Sequence, residues 1–180
     1  MTDEWIYEHN ADNSARFVLG TAGAHPLVCV GVNPSTAAPG IPDLTVSKVS
    51  GFASRNGFDS WVMLNLYPQR STDPNGMDLA HDPDLKEENE RRISEWINGR
   101  SLTFLAAWGG LIMARPYLTQ MLAGIVSATE PSGGDWVSIG DALKAGHPRH
   151  PSRAAYTWPL QSFNVRSYLR SIETTAVRGA

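Results

Sequence analysis

Four short apolar runs, rich in β-branched and aromatic residues, constrain this chain more than anything else in it. They are Leu27-Val28-Cys29-Val30-Gly31-Val32, Trp61-Val62-Met63-Leu64-Asn65-Leu66, Leu102-Thr103-Phe104-Leu105-Ala106-Ala107-Trp108 and Trp136-Val137-Ser138-Ile139. A short run without polar alternation reads as a strand covered on both faces, as in a parallel sheet. Between the runs lie segments with helical periodicity. Asp43 is positioned to cap a helix reaching about Asn56, with Val46, Val49 and either Phe52 or Ala53 on one face and Gly57 as its stop. Asp84 opens a second helix over 85–97, with Leu85, Ile93, Trp96 and Ile97 on its apolar face and Asn89, at the edge of that face, as a surface amide. A third runs from Pro116 to about Val126 and a last one from Phe163 to about Ile172, leaving 173–180 as a frayed tail. Strand–helix alternation of this kind specifies an α/β fold: a three-layer sandwich around a central, mostly parallel four-stranded sheet. Residues 5–9 and 16–19, around the polar turn from Asn10 to Ser14, add an N-terminal hairpin extension over residues 1–20. With 180 residues, one domain is expected.

Charge and composition then remove several functions. Fifteen Lys+Arg against eighteen Asp+Glu give a net charge of −3, with no basic tail. Binding to nucleic acid mainly by phosphate neutralisation needs the opposite balance, so DNA stays a partner only through a local basic cleft. The single cysteine, Cys29, sits mid-strand and reads as an inert core residue; it excludes an intrachain disulfide and a cysteine-based zinc site. No metal is expected, because His147 and His150 lack a third ligand at suitable spacing, and no cofactor, since neither Gly-x-x-x-x-Gly-Lys-Ser/Thr nor Gly-x-Gly-x-x-Gly occurs. No apolar run approaches the roughly 18 residues of a membrane span. The acidic start, Met1 to Glu4, lacks a signal-peptide core. A cytoplasmic protein is the expectation, and oligomeric state is open.

In parallel sheets, ligands bind beyond the carboxyl ends of the strands, and the polar signatures of this chain fall there. After the first run come Gly31, Asn33, Pro34 and Ser35. The glycine permits close approach, and the Asn33 amide can orient a water or read a base edge. Asn-Pro is also ordinary turn chemistry. At the end of the second run, Asn65 carries a buried amide that needs a partner, and Arg70 beyond it suits a ligand more than an ion pair with Asp73. Trp108 ends the third and can stack on a base or pack in the core. After the fourth, Gly146-His147-Pro148-Arg149-His150-Pro151 is a proline-stiffened loop. Its histidines can donate to a developing anion, and Arg149 can hold a phosphate. Alternatively it is a rigid surface loop.

These ordered motifs, with Arg70-Ser71-Thr72-Asp73-Pro74 among them, resemble an uncharacterised bacterial and phage family, domain of unknown function 1643, over roughly Arg16 to Pro151. More distantly, Gly31-Val32-Asn33-Pro34-Ser35 is similar to the Gly-Ile-Asn-Pro-Gly motif of the mismatch-specific branch of the uracil-DNA glycosylase superfamily. That resemblance implies a parallel four-stranded sheet between helices, a water positioned by Asn33 and a departing base anion stabilised by His147, and it puts Asn65 where the base edge is read. Arg149-His150 stand where the superfamily carries the serine that opens its minor-groove wedge, and Asn33 stands without a carboxylate base.

Three functions follow as expectations. The first is hydrolysis of an N-glycosidic bond to a base in DNA or a nucleotide, with Asn33 and His147 catalytic and Gly31, Pro34, Ser35, Asn65, Arg70, Trp108, Arg149 and His150 contacting substrate. The second is a module that binds a nucleotide or modified base without cleaving it. The third is a nucleotide-processing enzyme of another type that grips phosphate through Arg70 and Arg149.

Overall fold

The computed structural model describes residues 4–178. Its strands are β1 (Trp5–His9), β2 (Arg16–Thr21), β3 (Pro26–Gly31), β4 (Ser60–Asn65), β5 (Thr103–Ala106), β6 (Asp135–Ile139) and β7 (Leu160–Ser162). Its α-helices are α1 (Leu44–Arg55), α2 (Pro83–Ile97), α3 (Tyr117–Thr129) and α4 (Val165–Arg178). The strands form one mixed sheet in the order β1-β2-β4-β3-β5-β6-β7. The four apolar runs are its parallel centre: β3 pairs with β4 on one side and β5 on the other, and β5 pairs with β6.

The sheet is wider than the four strands expected. The N-terminal hairpin forms, but β2 also pairs antiparallel with β4 through Leu19 and Met63, so it is an integral part of the sheet. On the far side the short β7 runs antiparallel to β6. Helix limits shift too. Asp82, not Asp84, caps α2: its carboxylate accepts from the Asp84 and Leu85 amides, with Pro83 in the first turn where it needs no donor. Helix α4 continues to Arg178, so 173–178 are helical rather than frayed; residues 1–3 and 179–180 lie outside the described residues.

Side-chain alternation along β3 divides the core. Leu27 and Cys29 join Val46, Val49 and Phe52 of α1 on one face, whereas Val28 and Val30 join Ile93, Leu118, Leu122 and Leu169 of the other helices. The result is a helix–sheet–helix sandwich with α1 alone on one side. The Cys29 thiol is fully buried, which pushes its pKa up and leaves it unreactive. Asn89 is buried, not a surface amide. Its side-chain nitrogen donates to the Asn65 carbonyl at 3.0 Å and the Leu66 carbonyl at 3.3 Å, tying α2 to the carboxyl end of β4. No helix among the described residues is long and apolar enough to cross a membrane.

Candidate functional site

The parallel register brings Gly31 opposite Asn65 and Val30 opposite Ala106, so the strands end on one rim. Pairing continues past them: the Leu66 amide donates to the Gly31 carbonyl and the Tyr67 amide to the Val32 carbonyl. Beyond this rim lies a cavity of about 340 Å³. Its wall combines the first loop (Gly31, Asn33, Ser35), the end of β4 (Asn65), the second loop (Ser71, Thr72), the first turn of α1 and His150. Separate stretches of the chain therefore do converge on one pocket.

The Asn33 amide has a fixed orientation. Its nitrogen donates to the carbonyls of Pro34, 3.1 Å away, and Ser71, 2.9 Å away. Two carbonyl acceptors leave no alternative flip. Oδ1 is thereby the acceptor left over, and no described residue donates to it. Pro34 contributes through its carbonyl, which also accepts from the Ser71 amide and so joins the first loop to the second. Asn65 is 2% exposed, and its side-chain nitrogen is buried without a hydrogen-bond partner. Gly31 matters beside it: an added Cβ would stand 3.2 Å from the Asn65 Oδ1, narrowing this corner of the cavity.

Of the two loop histidines, His150 reaches the cavity and His147 does not. His147 is buried against α4, its Nδ1 2.8 Å from the Tyr168 hydroxyl, and it is absent from the wall that Asn33 lines. His150 Nδ1 lies 3.4 Å from the Ser152 backbone nitrogen and 2.8 Å from the Ser152 hydroxyl; with Nδ1 accepting from both, the neutral ring carries its proton on Nε2. Burial lowers the His150 pKa; Asp43 opposes that shift and Arg153 adds to it. Neutral at pH 7, the ring offers Nε2–H as a donor.

Other expected contacts divide similarly. Arg70 is a clamp. Its guanidinium donates to Asn13 Oδ1, the Tyr7 hydroxyl and the Ser35 and Ala37 carbonyls, which fastens the hairpin turn to the first loop and leaves little for a phosphate. Asp73 does not pair with it; its carboxylate accepts from the Asn75 amide in a local turn. The Trp108 ring is fully buried among Trp136, Phe163 and Tyr168, so it offers no stacking face. Arg149 lies over Trp158 and donates to the Asp141 carbonyl. It lines a second cavity of about 560 Å³ that shares Leu111, His150 and Ser152 with the first.

Two charged wall residues escaped the sequence reading. Arg16 is 2% exposed yet ionic. A register shift between β1 and β2 pairs Glu8 with Val18 but His9 with Arg16. The extra residue puts Phe17 and Val18 into the same core cluster and brings Arg16 to the α1 side, where it lines the cavity. Desolvation, with repulsion from Arg70, pulls its pKa down to about 10, while Asp43 raises it. It remains a cation at neutral pH. Asp43 was anticipated only as a cap. One oxygen does accept the Val46 amide at 2.8 Å, but the residue also lines the cavity, facing the fields of both Arg16 and His150.

The site thus holds an amide acceptor, a carboxylate, a neutral imidazole donor and a buried cation. Among the described residues no cluster of His, Cys, Asp and Glu has the makings of a metal site. No curated protein and no solved structure matches the chain. A family profile does match, over residues 16–152, the span that carries the hairpin's second strand, the parallel centre and every cavity residue named above; the chain belongs to the family described as protein of unknown function (DUF1643).

Proposed function

We propose that the protein hydrolyses the N-glycosidic bond between a base and its sugar, in a nucleotide or in DNA. One observation carries this reading: Asn33, Asp43 and His150, from three separate segments, line a single cavity with the buried donors of Asn65 and Arg16. Asn33 Oδ1 and the Asp43 carboxylate hold a water against the anomeric carbon. The water oxygen bonds to that carbon, its proton passes to Asp43, and the carbon–nitrogen bond breaks with its electron pair on the base. His150 Nε2–H donates to the base as it becomes anionic. In this reading His150 takes the task that the resemblance gives to His147, because His147 is occupied by Tyr168.

Four adjacent parallel strands between helical layers support a uracil-DNA glycosylase-like reading of the fold. The net charge of −3 favours a nucleotide or a modified base over duplex DNA as partner, in a cytoplasmic setting. With DNA, the nucleotide must also leave the stack, at a cost of a few kcal/mol.

Chromatographic assay of free base from a panel of nucleotides and modified-base oligonucleotides tests this. Base release is expected, and Asn33→Ala and His150→Gln each lower it by about a hundredfold. Binding without release points to the non-catalytic module. Phosphate release with the base still attached to its sugar points to another nucleotide-processing chemistry.

A further inference from the structure

We propose that the cavity recognises a 6-oxopurine base, guanine or hypoxanthine, and that Arg16 is the residue that reads it. This rests on the nucleotide reading of the site above and names its base.

The starting point is an unmet need. Arg16 Nη1 donates to the Ala37 carbonyl at 3.0 Å, but Nε is buried with no partner, and no described residue accepts from Nη2. Nε and Nη2 form the side-on fork of a guanidinium, two parallel donors in one plane. A buried guanidinium with idle donors costs free energy until an acceptor arrives. Asn65 repeats the pattern with an unpartnered, buried nitrogen on the same wall. The fork therefore asks for two acceptors side by side.

Carboxylates and phosphates present such a pair, and among the bases so do the O6/N7 edge of a 6-oxopurine and the O2/N3 edge of cytosine. Asp43 chooses among them. Only one of its oxygens is used, by the Val46 amide, and its charge acts on both Arg16 and His150. A carboxylate beside the fork repels an anionic guest, which leaves the uncharged edge of a base. Guanine and hypoxanthine carry both acceptors, O6 and N7, on one edge. Adenine puts an amine where the fork needs an oxygen, and uracil offers one carbonyl with a C–H beside it; cytosine meets the fork through O2 and N3, but its single ring fills less of the 340 Å³ cavity than a purine does. The 340 Å³ cavity has room for a purine, and the adjoining one, with Arg149 and Arg153, can receive the phosphate of a mononucleotide.

Calorimetric titration of the full chain with GMP, IMP, AMP, CMP, UMP and 7-deaza-GMP is the test. GMP and IMP are expected to bind, AMP, CMP and UMP about tenfold or more weaker, and 7-deaza-GMP, which lacks only the N7 acceptor, weaker than GMP by a similar factor. AMP or CMP within about threefold of GMP, or no binding by any of the series, overturns the proposal. Arg16→Lys keeps the charge and loses the fork, so GMP should fall to the level of AMP. A melting curve checks that the variant folds, and if it does not, the wild-type series still decides. Free guanine is measured in the same samples. GMP-selective binding without guanine release upholds Arg16 as the reader and removes the hydrolytic function. Base release from AMP as fast as from GMP does the reverse.

Discussion

His147 and His150 stand three residues apart and do opposite things. The prolines at 148 and 151 hold the loop extended. One ring turns inward to Tyr168, while the other is fixed by Ser152 at the junction of two cavities. Removing the first is a stability experiment: His147→Ala should lower unfolding free energy by about 1–3 kcal/mol through the hydroxyl left unpaired, with little change in turnover per folded molecule. Urea denaturation and the base-release assay, run together, check both halves; loss of turnover at unchanged stability would return His147 to the chemistry. Arg70→Ala belongs to the same class. It breaks the clamp between hairpin turn and first loop, so stability should fall, and nucleotides with and without phosphate should weaken alike. A selective loss for the phosphorylated ligand would make Arg70 a contact. None of this division was visible in the residue string, because one loop motif supplies both rings and only the packing of α4 separates them.

At the scale of elements, helix α1 joins stability to chemistry. Its cap, Asp43, holds the Val46 amide and faces the cavity. Asparagine caps a helix about as well as aspartate but carries no charge. Asp43→Asn should therefore keep the helix cap, lowering the melting temperature only through the counter-charge that buried Arg16 loses, while base release falls by about 10²–10⁴-fold. Equal activity in the variant would confine Asp43 to capping. Elements also mark what could be read beforehand. The central strands were legible because a six-residue run such as 27–32 has no polar face to expose. Asn33 and Asn65 stood out because each ends such a run. Strand β7 was not legible, since Leu160-Gln161-Ser162 is short, half-exposed and without alternation. Arg16 was hidden by the register shift opposite it: simple alternation puts it with Val18, and the irregularity moves it to the other face.

For the whole molecule, buried imidazoles make stability depend on pH. Burial lowers the pKa of both His147 and His150 below the ordinary 6.5. In the unfolded chain each ring takes up a proton near that value, whereas the folded chain resists until lower pH. The unfolded state then binds more protons, so stability falls as pH drops below about 6.5 and is fully present above it. Melting temperature should decline from pH 7.5 to 5.5, and more gently in His150→Gln, where Asp43 and Arg153 face an uncharged side chain. An unchanged slope in that variant would mean that His150 titrates normally. The fold-level lesson is similar in kind: alternation of apolar strands and amphipathic helices specified the sandwich, but the union of the hairpin with the central sheet depends on pairing between distant strands, which no local pattern encodes.

Crystals soaked with a purine mononucleotide examine the shared cavity most directly. The expected result is density for the base beside Asn65 Nδ2 and Arg16 Nε, with His150 Nε2 in hydrogen-bond reach and the sugar toward Asn33. Density confined to the outer pocket at Arg149, or bound to a different face, would contradict it.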